Sequence, residues 1–169
     1  MTRRQNMQER HDTVGLQGTG AMDSVLPARE RRLVRRLTQY WLQQCGEREF
    51  PCLDDIDPDA IRDIWPSCFL LDTASNHDFP YFHYLGPSLG RYAGVLLCGQ
   101  IDWTLTLLDK AVRKYREALA QRTPVLTEEE LILCNGGTLL FRSVLLPLSD
   151  DQVTINFLLG AANGTVRRD

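Results

Sequence analysis

Five side chains have the chemistry to line a small-molecule site: His83, Arg91, Tyr92, Trp103 and Arg142. An imidazole can donate and accept hydrogen bonds, and a guanidinium can bind a carboxylate or phosphate through two parallel hydrogen bonds. Three of these side chains also have an ordinary structural explanation. His83 can be a hydrogen-bonded structural residue, and Trp103 can fill the core. Arg142 can pair with a protein carboxylate, because an unpaired buried charge is costly.

Arrangements typical of catalysis or metal binding do not stand out in the sequence. There is no recognisable Ser-His-Asp or Cys-His-Asn spacing. The five cysteines form no CxxC pair and the three histidines occur in unrelated contexts, so no metal site is predicted. The GPSLG segment lacks the GxxxxGK[ST] and GxGxxG phosphate-binding patterns. We interpret the cysteines as buried free thiols, with Cys45 and Cys52 as the first to check for a redox role.

Composition and charge bound the class of protein. A chain of 169 residues with 43% hydrophobic and 24% charged residues fits one globular domain with a tail. The net charge of −3 argues against nucleic-acid binding by bulk charge. No apolar run is long enough for a membrane span, and the charged N-terminus is not a secretory signal. The sequence therefore predicts a cytoplasmic protein with a disordered tail at 1–23, one domain at 24–163 and a short C-terminal tail at 164–169.

Three helices are expected to hold these side chains in place. Residues 28–45 carry apolar residues at helical spacing on one face, and Gly46 occupies a C-cap position. A short helix is predicted at 57–65, where Asp57 can act as the N-cap. A long amphipathic helix is predicted from Asp102 to Arg122.

Five strand-like runs complete the pattern, at 67–73, 79–85, 125–134, 138–148 and 152–161. Pro80 indicates an edge strand or a late strand start. If Asp150-Asp151 is a two-residue turn, Leu148 lies opposite Val153. The last two strands are apolar on both faces, so both faces must be covered, and the helix at 28–45 is the obvious cover for one of them. This order of elements predicts an α+β fold with an antiparallel sheet.

Four stretches of the chain resemble the PAS domain, in particular a bacterial family of short, mostly stand-alone PAS proteins. They are DIDPDAIRDIWPSCFLLD at 55–72, HYLGPSLGRYAG at 83–94, LFRSVLLPLSDD at 140–151 and INFLLGAAN at 155–163. The resemblance implies a five-stranded antiparallel sheet with a helical crossover and an N-terminal helix on the outer face. It also implies a sensor or interaction module that dimerises through such a helix.

The cofactors used by some PAS sensors are not expected in this chain. Flavin photosensors carry a reactive cysteine in Asn-Cys-Arg-Phe-Leu-Gln, whereas the comparable Cys98 lies in LLCGQ. Haem sensors use an axial histidine, and 86–122 contains none.

The leading hypothesis is a non-catalytic PAS-type sensory or protein-interaction module in bacterial signalling. It would form a homodimer, act on a protein partner and bind a small ligand between the sheet and the crossover helices. Four residues of the first helix are the candidate dimer interface: Leu33, Leu37, Tyr40 and Trp41. Two alternatives remain. One is a small cone-shaped enzyme with a polar pocket, and the other is a cyclic-dinucleotide receiver with exposed arginines as phosphate partners.

Overall fold

The computed structural model describes residues 28–76, 78, 80–93, 106–133 and 136–167. The helices are α1 (Ala28–Cys45), α2 (Gly90–Ala93), α3 (Leu107–Val112) and α4 (Tyr115–Gln121). The strands are β1 (Cys68–Asp72), β2 (Tyr81–Leu85), β3 (Val125–Ile132), β4 (Thr138–Leu148) and β5 (Phe157–Arg167). Short 3-10 helices occur at Leu53–Asp55, Trp65–Ser67 and Pro87–Leu89.

The five strands form one antiparallel sheet in the order β2-β1-β5-β4-β3. The predicted α+β class and the five-stranded sheet are therefore confirmed. β2 is an edge strand that begins just after Pro80, as the proline indicated. The segment between β2 and β3 crosses from one edge of the sheet to the other and contains α2, α3 and α4.

Helix α1 covers one face of the sheet, which we call the outer face. The helix has the predicted bounds and ends before Gly46, which adopts φ +57°. Trp41 is buried, and its Nε1 donates a 2.7 Å hydrogen bond to the carbonyl of Pro147 in β4. Leu37 is fully buried on the same side of the helix. The outer face of β4 and β5 is thus closed by a helix of the same chain.

The opposite, inner face of the sheet packs against α3 and α4. Lys110 of α3 is buried and reaches Glu129 of β3, with 2.6 Å between Nζ and Oε2. The neighbouring Glu128 pairs instead with Arg142 across the outer face. Successive side chains of a strand point to opposite faces, so Glu128 forms an ion pair on the outer face of β3 and Glu129 forms one on the inner face. Coverage of both faces explains why β4 is buried from Ser143 to Leu148.

The β4–β5 connection is longer than the predicted two-residue turn. The strand predicted at 152–161 lies at 157–167, so Leu148 lies opposite Phe157 and not Val153. The carboxylate of Asp151 accepts hydrogen bonds from the backbone N–H groups of Val153 and Thr154, at 2.8 and 2.6 Å. Because this side chain organises a loop, β5 begins to pair with β4 at Phe157, four residues after the predicted partner Val153. The residues up to Arg167 therefore belong to β5 and not to the predicted tail.

Two predicted helices differ in the structure. The long helix is divided into α3 and α4 at Lys114, which adopts φ −90° and ψ 18°. Thr106 caps α3, because its hydroxyl oxygen accepts a 3.3 Å hydrogen bond from the backbone N–H of Asp109. In return, the Asp109 carboxylate accepts a 2.7 Å hydrogen bond from the backbone N–H of Thr106. The segment predicted as a helix at 57–65 forms successive turns whose hydrogen bonds run mostly from residue i+3 to residue i.

The part of the chain that the structure describes contains no helix long and apolar enough to cross a membrane. The described cysteines, Cys45, Cys52 and Cys68, are free thiols. Cys98 and Cys134 lie outside the described residues, as do the predicted tail at 1–23 and Trp103.

Candidate functional site

A cleft of about 750 Å³ opens where α1 approaches the beginning of the crossover. We call it the α1–α2 cleft. Its walls come from the first half of α1, the turn before β1, helix α2 and the C-terminal part of β5. The lining includes Arg32, Leu33 and Arg36 of α1, Asp63, Ile64 and Ser67 of the turn, and Ser88, Arg91, Tyr92 and Gly164. The volume lies within the range of small-molecule binding sites.

Arg91 and Tyr92 form one unit in this cleft. Tyr92 is 6% exposed, and its hydroxyl accepts a 3.0 Å hydrogen bond from the backbone N–H of Gly164 in β5. The guanidinium of Arg91 lies 5.1 Å from the centre of the Tyr92 ring and contacts its hydroxyl at 3.5 Å. The buried ring therefore connects α2 to the sheet and supports a positive charge at the cleft surface.

An ion pair closes the cleft on the α1 side. Arg36 donates to both carboxylate oxygens of Asp63, at 2.5 and 3.0 Å. This hydrogen bonding lowers the pKa of Asp63 and raises that of Arg36, so both groups are held in their charged forms. Both side chains are about half exposed, so the pair adds little stability. Its bidentate geometry nevertheless fixes the first half of α1 against the turn before β1.

The other candidate side chains lie elsewhere. His83 is exposed on edge strand β2, where its ring packs edge-on against Phe157 with centroids 5.4 Å apart. It therefore does not line the cleft. Arg142 is 13% exposed and pairs with Glu128 directly across from it on β3, at 3.3 Å. This is the protein-carboxylate alternative considered for Arg142.

Arg142 lines a second groove, of about 450 Å³, between α1 and the outer face of β3 and β4. Val34, Arg35, Leu126 and Val144 also line this groove. The structure thus separates the four described candidates into three places: the α1–α2 cleft for Arg91 and Tyr92, the β2 edge for His83, and the outer groove for Arg142.

The four candidate interface residues are not available on the surface of the chain. Leu33, Leu37, Tyr40 and Trp41 are between 0 and 9% exposed because α1 packs on the chain's own sheet. The hydroxyl of Tyr40 also accepts a 2.7 Å hydrogen bond from the backbone N–H of Asp57. A dimer through these side chains would require α1 to leave the sheet, so this interface is not accessible while the helix is docked and stays a prediction.

Sequence reasoning did not find the remaining cleft residues. Arg32 and Arg36 lie four residues apart on α1, and that spacing is also typical of a solvated helix face. Ser67 and Ser88 occur in separate turns that carry no motif. Only the fold brings these segments together.

The comparisons with known proteins identify the family. The PAS domain family matches residues 29–163, so the chain belongs to it. This match supports a PAS-type sensory module. One solved structure, a light-oxygen-voltage domain studied with a flavin analogue, is 18% identical, with a TM-score of 0.42 over 63% of this chain and 82% of that chain. The comparison with curated proteins found no match.

Proposed function

We propose that this protein is a non-catalytic, cytoplasmic sensory module of bacterial signalling that binds a small ligand in the α1–α2 cleft. In this proposal, ligand binding changes the docking of α1, and a protein partner recognises the change. One observation carries the proposal: the cleft has α1 as one wall and the start of the crossover as another. A ligand that contacts both walls must bind the docked and undocked helix with different affinity, and such a difference is the requirement for a conformational response.

The contacts around the cleft suit such a response. The first half of α1 is held there by the exposed Arg36–Asp63 pair and by Leu33, which is at the margin of the core. Exposed ion pairs contribute about 0–1 kcal/mol, so a ligand of ordinary affinity can outweigh this contact. The buried Tyr92 provides a rigid opposite wall.

The non-catalytic assignment is supported by the groups around the cleft. Asp63 is the carboxylate among the described lining residues, and Arg36 engages both of its oxygens. His83, the imidazole considered as a general base, lies on the β2 edge. The described part of the cleft therefore brings together no acid–base pair.

A homodimer remains part of the proposal, with its contact outside the buried stripe of α1. Light scattering during size-exclusion chromatography measures the molar mass directly. We expect a mass near twice that of the 19.3 kDa chain. A folded monomer at the highest concentration tested would refute the dimer without affecting the ligand proposal.

Native mass spectrometry, compared with the denatured mass, tests the ligand proposal. We expect the purified protein to carry a small molecule that is released on denaturation. Ser88→Trp should lose this added mass because an indole would occupy the cleft, whereas Ala120→Trp, on the exposed side of α4, should retain it. Wild-type protein without added mass, or equal loading of the Ser88→Trp variant, would contradict binding in the cleft.

A further inference from the structure

The α1–α2 cleft is positively charged, although the chain as a whole carries a net charge of −3. Three arginines and one aspartate line it, which gives the lining a formal charge of +2. Arg36 is neutralised by Asp63. Arg32 and Arg91 are exposed and have no carboxylate partner among the described residues. The two unpaired guanidinium groups favour an anion in the cleft.

Tyr92 provides an independent indication of what binds. Its hydroxyl oxygen already accepts hydrogen bonds from the Gly164 N–H and from Arg91. Among the described residues, this buried hydroxyl takes part in hydrogen bonds only as an acceptor. A hydroxyl can donate one hydrogen bond while it accepts two, so this residue lacks an acceptor among the described residues. A ligand oxygen in the cleft would supply it.

Two further hydroxyls line the same cleft. Ser67 and Ser88 are half-buried, and their side chains make no hydrogen bond to any described residue. The cleft therefore combines guanidinium groups with several hydroxyl donors. A phosphate offers more acceptor oxygens than a single carboxylate, and arginine matches its geometry with two parallel hydrogen bonds.

We propose that the α1–α2 cleft binds a phosphate-bearing small molecule of nucleotide size, with its phosphate held by Arg32 and Arg91. The volume of about 750 Å³ is larger than a phosphate or pyrophosphate group needs, and Leu33 and Ile64 offer apolar surface to the rest of the molecule. This inference names the ligand class of the proposed sensory function and rests on that function for its role in signalling.

Isothermal titration calorimetry at low ionic strength tests the ligand class. The probes are ADP, pyrophosphate, citrate and adenosine. We expect ADP to bind more tightly than pyrophosphate, and citrate and adenosine to bind at least about tenfold more weakly than ADP. Because the contact is between charges at a partly exposed site, the affinity for ADP should fall as salt is added.

Single charge removals locate the site. Arg91→Gln and Arg32→Gln should each reduce ADP affinity at least about tenfold. Arg35→Gln is the matched control, because Arg35 is an exposed arginine of the same helix that lines the outer groove and not the cleft. Circular dichroism should show that all three variants remain folded. Equal affinities in Arg91→Gln, Arg32→Gln and wild type would overturn the proposal.

The remaining outcomes separate this inference from the proposed function. Absence of binding by both ADP and pyrophosphate, or tighter binding of citrate or adenosine, would overturn the phosphate class while leaving a sensor for another ligand. ADP binding without a change in hydrogen exchange of α1 would refute sensing through α1 and leave the phosphate class supported. Pyrophosphate binding as tight as that of ADP would assign the site to free phosphate anions and refute the nucleotide-sized ligand.

Discussion

Replacement of Gly160 by alanine tests the packing of the inner sheet face. Gly160 in β5 lies directly opposite Phe69 in β1, and Phe69 is fully buried. A Cβ at position 160 would approach the end of the Phe69 ring, including Cε1 at 2.7 Å, and would be closer still to two neighbouring ring carbons. An aromatic ring in a close-packed core cannot move aside without displacing its other neighbours.

The magnitude follows from the cost of overpacking. Extra atoms in a filled core cost about 1–3 kcal/mol, and contact at the rigid end of a ring justifies about 3 kcal/mol for Gly160→Ala. Phe69→Leu shortens the opposing side chain and should cost about 1–2 kcal/mol by itself. The double variant should lose only about 2 kcal/mol, because the smaller side chain makes room for the added methyl group. The expected coupling of about 2 kcal/mol exceeds the range in which independent sites add.

Urea unfolding followed by circular dichroism at constant temperature measures these free energies. Gly90→Ala is the control, since a Cβ at this helical position meets no described atom beyond its chain neighbours and its own helix backbone within 4 Å, and alanine favours helix by up to about 1 kcal/mol. We expect this control to be neutral or slightly stabilising. The packing argument would be refuted if Gly160→Ala lowered the free energy of unfolding by less than about 0.5 kcal/mol. It would also be refuted if the decrease in the double variant equalled the sum of the decreases in the two single variants.

Two other predictions concern ionised groups. Backbone N–H donors of Thr154 and Val153 lower the pKa of Asp151 from 3.8 to about 2, so the stability from this contact is complete above pH 4 and is lost as the pH falls toward 2. Carboxyl titration by NMR checks this value, and a midpoint near 3.8 would contradict it. The second prediction concerns the Lys110–Glu129 pair. Glu129→Gln should destabilise the fold by about 2 kcal/mol, because it leaves the ammonium group of Lys110 buried without its partner. Lys110→Met should cost less than about 1 kcal/mol, because Glu129 is one-third exposed and stays hydrated. Urea unfolding measures the free energy of unfolding of both variants. A larger decrease in Lys110→Met than in Glu129→Gln would contradict this explanation.

Local signals predicted the fold well where they were strong. The apolar stripe and Gly46 gave α1 its observed ends, and the strand predicted at 138–148 has the bounds of β4. The start of β5 was missed because the Asp150-Asp151 pair resembles a hairpin turn, while Asp151 actually organises a longer loop through backbone hydrogen bonds. Side-chain capping of this kind depends on the three-dimensional path of the loop.

The candidate site was predicted only in part. Arg91 and Tyr92 were identified because polar and aromatic side chains stand out in a glycine-rich segment. Arg32 was not singled out, since its role depends on the position of α1 beside α2. The same docking buried Leu37 and Trp41, whose apolar spacing does not reveal whether a helix packs on its own sheet or on a second chain.

The two ends of α1 are held with different strength, so a displacement of the helix would be unequal along its length. Just beyond the C-terminal end of α1, the side-chain amide of Gln152 accepts a 3.0 Å hydrogen bond from the backbone N–H of Phe50 and donates a 2.9 Å hydrogen bond to its carbonyl. These two bonds resemble those that a neighbouring strand would form. Together with the Trp41–Pro147 bond, this contact places the pivot at the C-terminal half. A displacement of α1 at the cleft would then be larger toward Ala28 than near Trp41. A spectroscopic probe of this conformational change should therefore be attached near Ala28, because a probe beside Trp41 would show little change.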